Sequence, residues 1–237
     1  IKKMNISKKK LIHDMEILTK KPIEGSFVHW TEDNLYTPKV IIIGSKGTPY
    51  ENGFYCIQFK FTDKFPFEPP KAKYLTTDGK VRMNPNLYAN GKVCLSLLGT
   101  WSGPQWTSCQ NLSTIILSIM SILHENPIIN EPGYTQTPIQ SKRNRLYNLL
   151  VSYANIRVGV LQMLTSPPEG YECLVPSIKE YFLKNYDEYI GLCEKHLDTE
   201  FSGLQVSPIY KWKEKVNFKL LITKLKKLKK EFEIEKE

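Results

Sequence analysis

A chain of 237 residues can build one sizeable hydrophobic core, or one core with an appendage. Hydrophobic residues make up 41% and charged residues 24%, the composition of an ordinary globular protein. No apolar run approaches the ~20 residues needed to span a bilayer, which argues against a membrane role. The first residues, Ile1-Lys2-Lys3-Met4, are followed by no apolar segment, so no signal peptide is expected, and the missing Met at position 1 points to a fragment. Cys56, Cys94, Cys109, Cys173 and Cys193 are odd in number and form no CxxC pair, which argues against a disulfide framework or a zinc site. The four histidines are scattered, and no metal-ligand cluster is expected. These features fit a reducing compartment, the cytosol or the nucleus. The net charge of +9 is uneven. Nine lysines and one glutamate lie between Lys211 and Lys230, so the basicity belongs to the C-terminal segment.

In chain order, residues 6 to 20 read as a helix, with Ser7 as a cap and Leu11, Met15 and Leu18 at helical spacing. Four short strands follow, over Ser26–Trp30, Lys39–Ile43, Phe54–Phe61 and Lys71–Leu75, as an antiparallel meander. Residues 76 to 110 contain no convincing long element, and irregular stretches of that length tend to be functional. Leu112, Ile115, Ile116, Ile119, Ile122 and Leu123 form a helical stripe. Residues 140 to 165 and 176 to 197 read as helical, and a final helix is expected from about Ile209 to Phe232. Its stripe of Phe218, Leu221, Ile222, Leu225, Leu228 and Phe232 predicts docking onto the 140–197 helices, with the lysine face in solvent. The order of helix, meander, irregular stretch and helices is α+β.

Within the irregular stretch, Asn84-Pro85-Asn86 and Gly91-Lys92-Val93-Cys94-Leu95, with Asn86 eight residues before Cys94, resemble the ubiquitin-conjugating enzymes, or E2s. Thr48-Pro49-Tyr50-Glu51-Asn52-Gly53, Phe65-Pro66-Phe67-Glu68-Pro69-Pro70 and Trp106 are similar to further landmarks of that family. Gly99-Thr100-Trp101, Glu125-Asn126-Pro127, Asn130-Glu131-Pro132-Gly133, Asn155-Ile156-Arg157-Val158 and the tyrosines from Tyr181 to Tyr189 narrow the resemblance to the Z-type E2s, which carry a C-terminal extension. The resemblance implies a ubiquitin-conjugating (UBC) core over residues 1–137, a helical extension over 138–200, and a basic amphipathic helix over 201–237 packing on the extension. It also implies a cis Phe65-Pro66 bond.

An E2 takes ubiquitin or a ubiquitin-like modifier from an activating enzyme (E1) as a thioester. It passes the modifier to a substrate lysine, usually with a ligase (E3). The resemblance makes Cys94 the acceptor. Attack needs the thiolate, so Cys94 is expected to be exposed, with Lys92 nearby favouring the charged form. Asn86 either donates its amide to the oxyanion or holds the nearby loop. Glu131 aligns with a carboxylate that orients the attacking lysine, against the plainer reading of a surface Glu. Most E2s have His-Pro-Asn where this chain has Asn84-Pro85-Asn86; Asn both donates and accepts, so Asn84 and Pro85 are read as loop support. Trp101 lies in a loop about four residues longer than in a minimal E2, which either gates the site or is a plain surface loop. Lys8, Lys9 and Lys10 match the E1-docking face. Phe67 and Ser108 match E3-contacting positions, although Thr107-Ser108-Cys109 departs from the usual Ser-Pro-Ala. No cofactor is expected, because ATP is used by the E1. The alternatives are a non-catalytic ubiquitin-binding variant, against which Cys94 speaks, and a nucleic-acid binder, against which the lysine run lacking interleaved aromatics speaks.

Overall fold

A computed structural model describes residues 5–234. The signal-peptide expectation rests on residues 1–4 and lies outside them. Helix α1 (Ile6–Lys20) is capped by Asn5, whose side chain accepts from the Ser7 amide at 3.1 Å. Ser7, expected as the cap, lies inside the helix instead, and its hydroxyl donates to the Thr62 carbonyl at 2.8 Å. Asn two residues earlier is at least as good an acceptor for the free amides, so the helix begins there. Leu11 and Leu18 point into the core.

Strands β1 (Ser26–His29), β2 (Lys39–Ile43), β3 (Phe54–Lys60) and β4 (Lys71–Tyr74) pair antiparallel in sequence order, as short connections dictate. Phe54, Tyr55, Cys56 and Ile57 are all buried, so β3 has both faces covered rather than one. The Phe65-Pro66 bond is cis, as expected. Residues 76 to 110 carry only a single turn at Ser96–Leu98 and isolated bridges, Leu87 with Val93 among them. Helix α2 (Leu112–Ile122) follows, capped by Asn111 and buried along Leu112, Ile115, Ile116 and Ile119.

Helix α3 (Lys142–Ala154) continues as a π-helical stretch, Asn155–Gln162, into α4 (Met163–Thr165). Asn155 is the bridge to the core. Its Oδ1 accepts from the Tyr55 hydroxyl at 2.5 Å, and its Nδ2 donates to the Glu51 carbonyl at 2.9 Å. A Cβ on Gly53 would lie 1.8 Å from Asn155 Oδ1, so the β2–β3 turn approaches this closely only because residue 53 is glycine. Helices α5 (Val175–Lys184) and α6 (Tyr186–Glu194) clasp the same turn. The Tyr181 hydroxyl donates to Asn52 Oδ1 at 2.8 Å, the Tyr189 hydroxyl to the Asn52 carbonyl at 2.7 Å, and Asn52 Nδ2 to Glu188 at 2.8 Å.

The C-terminal segment departs from expectation. A hairpin, β5 (Gly203–Val206) and β6 (Lys213–Val216), precedes the last helix, α7 (Phe218–Ile234), which therefore starts nine residues later than about Ile209. The strands are four residues each and β6 alternates lysine with Glu214 and Val216, a pattern too short and too charged to read as a strand. Phe218, Leu221, Leu225, Leu228 and Phe232 are buried, and Lys219, Lys224, Lys226, Lys227 and Lys230 are exposed. Phe232 meets Phe182 at 6.0 Å, and Phe218 meets Tyr153 at 5.3 Å. One core of buried residues runs from Leu11 to Phe232, so no break in packing falls at residue 137 or 200. Among the described residues no helix is long and apolar enough to cross a membrane.

Candidate active site

Asn84-Pro85-Asn86 and Cys94 are brought together by a tight fold of the irregular stretch. Cys94 N donates to the Asn86 carbonyl at 2.8 Å, and Asn86 Nδ2 donates to the Cys94 carbonyl at 2.8 Å. The pair is reciprocal, so the eight-residue spacing is the span of a closed loop. An amide has two hydrogens, and the Cys94 carbonyl takes one of Asn86's. Holding the loop is therefore a role that the geometry gives Asn86 directly.

Asn84 is fully buried. Its Nδ2 donates to the Tyr50 hydroxyl and to the Ile122 carbonyl, both at 2.8 Å, and its Oδ1 accepts from the Asn86 amide at 2.8 Å. Tyr50 passes the bond on to the Met83 carbonyl at 2.9 Å. The site thus uses two donors and one acceptor of a single side chain, a set that asparagine supplies and a neutral imidazole does not. Pro85 is buried and its carbonyl accepts from Arg82 Nη2 at 2.6 Å.

Cys94 is only 1% exposed, which corrects the expectation of an accessible thiol. The backbone on both sides of it is tied down. Thr100 donates its hydroxyl toward the Val93 and Leu95 carbonyls at 2.8 and 3.1 Å and accepts from the Leu95 amide at 2.9 Å. The segment after the cysteine is thereby folded back against it. Trp101 is half-buried in that segment, between Gly99 at φ 67° and Gly103 at φ 133°. Lys92 is exposed, and its ammonium lies 5.5 Å from the Tyr88 ring centroid. It engages that ring by a cation–π contact.

Glu131 is not a loose surface carboxylate. The Tyr210 hydroxyl donates to its Oε2 at 2.6 Å, and Arg82 Nη2 lies 3.7 Å from the same oxygen. Burial, then the Glu131 carboxylate beside it, push the Tyr210 hydroxyl far above its ordinary value, so it stays a donor. The Arg82 guanidinium is sandwiched between the Tyr88 ring at 3.5 Å and the Tyr210 ring at 4.0 Å. Through Arg82, the Glu131 cluster is joined to Pro85 and so to the loop that carries Asn86 and Cys94. Sequence reasoning gave no role to Arg82, Tyr88 and Thr100, which lie inside or beside the motifs of the resemblance, and did not single out Tyr210 at all. Only Tyr210 lay where no signal was available, inside a segment read as the start of a helix.

The partner-contact candidates fall on the surface. Lys8 and Lys9 are exposed, whereas Lys10 is half-buried in an ion pair with the buried Asp14 at 3.1 Å. Phe67 is 69% exposed, and Ser108 is exposed on the loop beyond Trp106. Trp106 Nε1 donates to the Pro66 carbonyl at 2.7 Å, which pins the Phe67 loop to the Ser108 loop.

The family model described as "Ubiquitin-conjugating enzyme" matches residues 10–152. "Ubiquitin-conjugating enzyme E2 Z" of Danio rerio is 37% identical over 216 residues, 90% of this chain and 65% of that protein. The Homo sapiens protein of the same name is 38% identical over 195 residues, 81% of this chain and 54% of that protein. "Probable ubiquitin-conjugating enzyme E2 26" of Arabidopsis thaliana is 35% identical over 189 residues, 76% of this chain and 34% of that protein. The E2 Z likeness extends past residue 152 into the extension, and the chain spans 54–65% of the length of these two E2 Z relatives.

Proposed function

This chain belongs to the ubiquitin-conjugating enzyme family, and from that premise we propose that it accepts ubiquitin or a ubiquitin-like modifier from an E1 as a thioester on Cys94 and passes it to a substrate lysine with an E3. In loading, the Cys94 thiolate attacks the E1 thioester carbonyl, the new C–S bond forms, and the E1 thiolate leaves. In discharge, a lysine amine attacks, the C–N bond forms, the amine gives up a proton, and the Cys94 thiolate departs. Asn86 steadies the Cys94 peptide and offers its second amide hydrogen toward the oxyanion. Glu131 accepts a hydrogen bond from the incoming lysine, which favours its deprotonation. Lys8 and Lys9 offer the E1 a basic face; Phe67 and Ser108 offer an E3 two pinned loops. All five cysteines are free, which supports a reducing compartment, the cytosol or nucleus.

The observation that carries this reading is the reciprocal Asn86–Cys94 pairing. Burial of Cys94 adds a requirement: the sulfur must become accessible before loading. That burial is also what favours the rival, a non-catalytic ubiquitin-binding scaffold. Incubation with each E1, modifier and ATP on a non-reducing gel separates the two. A thiol-sensitive adduct lost in Cys94→Ala, and kept when any other cysteine is replaced, is expected. No adduct with any pair, together with a Cys94 inert to iodoacetamide in the folded protein, would leave the scaffold.

A further inference from the structure

Tyr210 stands at the tip of the β5–β6 hairpin, in a turn closed by Ser207 N donating to the Trp212 carbonyl at 2.8 Å. The hairpin is anchored to the extension through Arg157, which binds Glu214 at 2.7 Å and Asp78 at 2.8 Å. Tyr210 is held again by an edge-on contact with Tyr147, ring centroids 6.3 Å apart. A side chain fixed this firmly, 79 residues from Glu131 along the chain, delivers a hydroxyl to one carboxylate oxygen. Packing alone would need only the ring, which covers the Arg82 guanidinium. The hydroxyl is a separate feature with a separate partner. Arg82, meanwhile, is kept at 3.7 Å from Glu131, too far for a direct hydrogen bond, by its two flanking rings and by the Pro85 carbonyl.

We propose that Tyr210 is a positioning residue for the transfer step: its hydroxyl holds Glu131 Oε2, leaving the other carboxylate oxygen to receive the substrate lysine, so that the C-terminal hairpin completes the active site. The inference rests on the roles given above to Cys94 and Glu131. Without the hydroxyl, Arg82 stays where its two rings and the Pro85 carbonyl hold it, but the carboxylate loses its fixed orientation toward the incoming lysine. The loss bears on the step in which an ammonium must be oriented and deprotonated. It does not bear on attack of Cys94 on the E1 thioester, in which no lysine takes part.

The test is Tyr210→Phe, which keeps the ring and removes the hydroxyl. Protein preloaded on Cys94 is chased with free lysine in single turnover across a pH series, and loading and thermal melting are measured alongside. Loading at the wild-type rate is expected, with discharge at neutral pH slowed about tenfold, the scale of one hydrogen bond to a charged group. The deficit shrinks as pH rises and the lysine deprotonates unaided. In a Glu131→Ala background Tyr210→Phe has no further effect, because the hydroxyl acts through that carboxylate. Wild-type discharge by Tyr210→Phe at every pH would overturn the inference, as would a deficit uniform in pH or one that persists in the Glu131→Ala background. A wild-type chain that loads while Tyr210→Phe shows no defect sinks this inference alone; a wild-type chain that never loads on Cys94 sinks the functional reading and this inference with it.

Discussion

Replacing Asn84 by histidine would restore the residue most E2s carry at this place, and the structure predicts that the change is harmful here. Asn84 uses two amide hydrogens and one oxygen on three buried partners, the Tyr50 hydroxyl, the Ile122 carbonyl and the Asn86 amide. A neutral imidazole has one donor and one acceptor, so at least one bond is lost. An orphaned buried partner costs about 1–3 kcal/mol. The larger ring must also enter a fully buried site, where overpacking costs about 1–3 kcal/mol more. The sum, roughly 2–6 kcal/mol, lowers the melting temperature by roughly 4–24 °C for a chain of this size. Differential scanning calorimetry of wild type, Asn84→His and Asn84→Ala checks it. An Asn84→His protein as stable as wild type would mean that the three-bond accounting is wrong.

Asn86→Ala removes the hydrogen bond to the Cys94 carbonyl and should slow discharge to lysine at least tenfold more than loading; equal slowing of the two steps in stopped-time gel assays would reduce Asn86 to a loop tether. Leu225→Ala, in the buried stripe of α7, should cost about 2–5 kcal/mol in urea unfolding, whereas the neighbouring exposed Lys226→Ala should stay within about 0.5 kcal/mol; similar values would show that α7 is not docked. Asp78 is pushed up by burial, but the Val81 amide, Arg157 and the Lys80 amide outweigh this and hold it below its ordinary range. Its stabilising contribution is therefore complete above the unfolded value near ~3.9 and is lost as pH falls through the lower folded value. The melting gap between wild type and Asp78→Asn should be constant from pH 7 to about 5 and close below about 4; a gap that persists in acid would refute the assignment.

What the sequence disclosed and what it withheld divide along physical lines. Strand β2 was bounded correctly because Val40 to Ile43 is a β-branched run stopped by Gly44, a local signal. The apolar stripe of α7 was legible for the same reason, since Phe218 to Phe232 repeats at helical spacing. Exposure of Cys94 was not legible. Burial is a tertiary property, and the neighbouring bonds from Thr100 to the peptides at Val93 and Leu95 are likewise encoded by no periodicity. The hairpin was missed because Leu204 and Val206 are exposed on one short strand while lysines alternate on the other, leaving no buried face to give a period. With the hairpin went Tyr210, and with Tyr210 the partner of Glu131. The cap of α1 failed by two residues, because Asn5 and Ser7 are both good caps and only the tertiary bond from Ser7 to Thr62 decides between them.

The clasp on Asn52 sets an order of events during synthesis. Tyr181, Glu188 and Tyr189 lie 129, 136 and 137 residues beyond the turn they hold. At about 5–20 residues per second, the ribosome adds those residues roughly 7–27 s after Asn52. Throughout that interval the β2–β3 turn, with Asn52 in the left-handed region at φ 58°, has none of the three contacts that seal it. Loop closure over so long a span also gives these contacts a high sequence separation, the kind that forms late. The nascent sheet therefore waits with Phe54, whose ring is later met by Tyr181, uncovered on that side. A chaperone that binds exposed aromatic strands has its opportunity in those seconds, before the extension emerges and closes the turn.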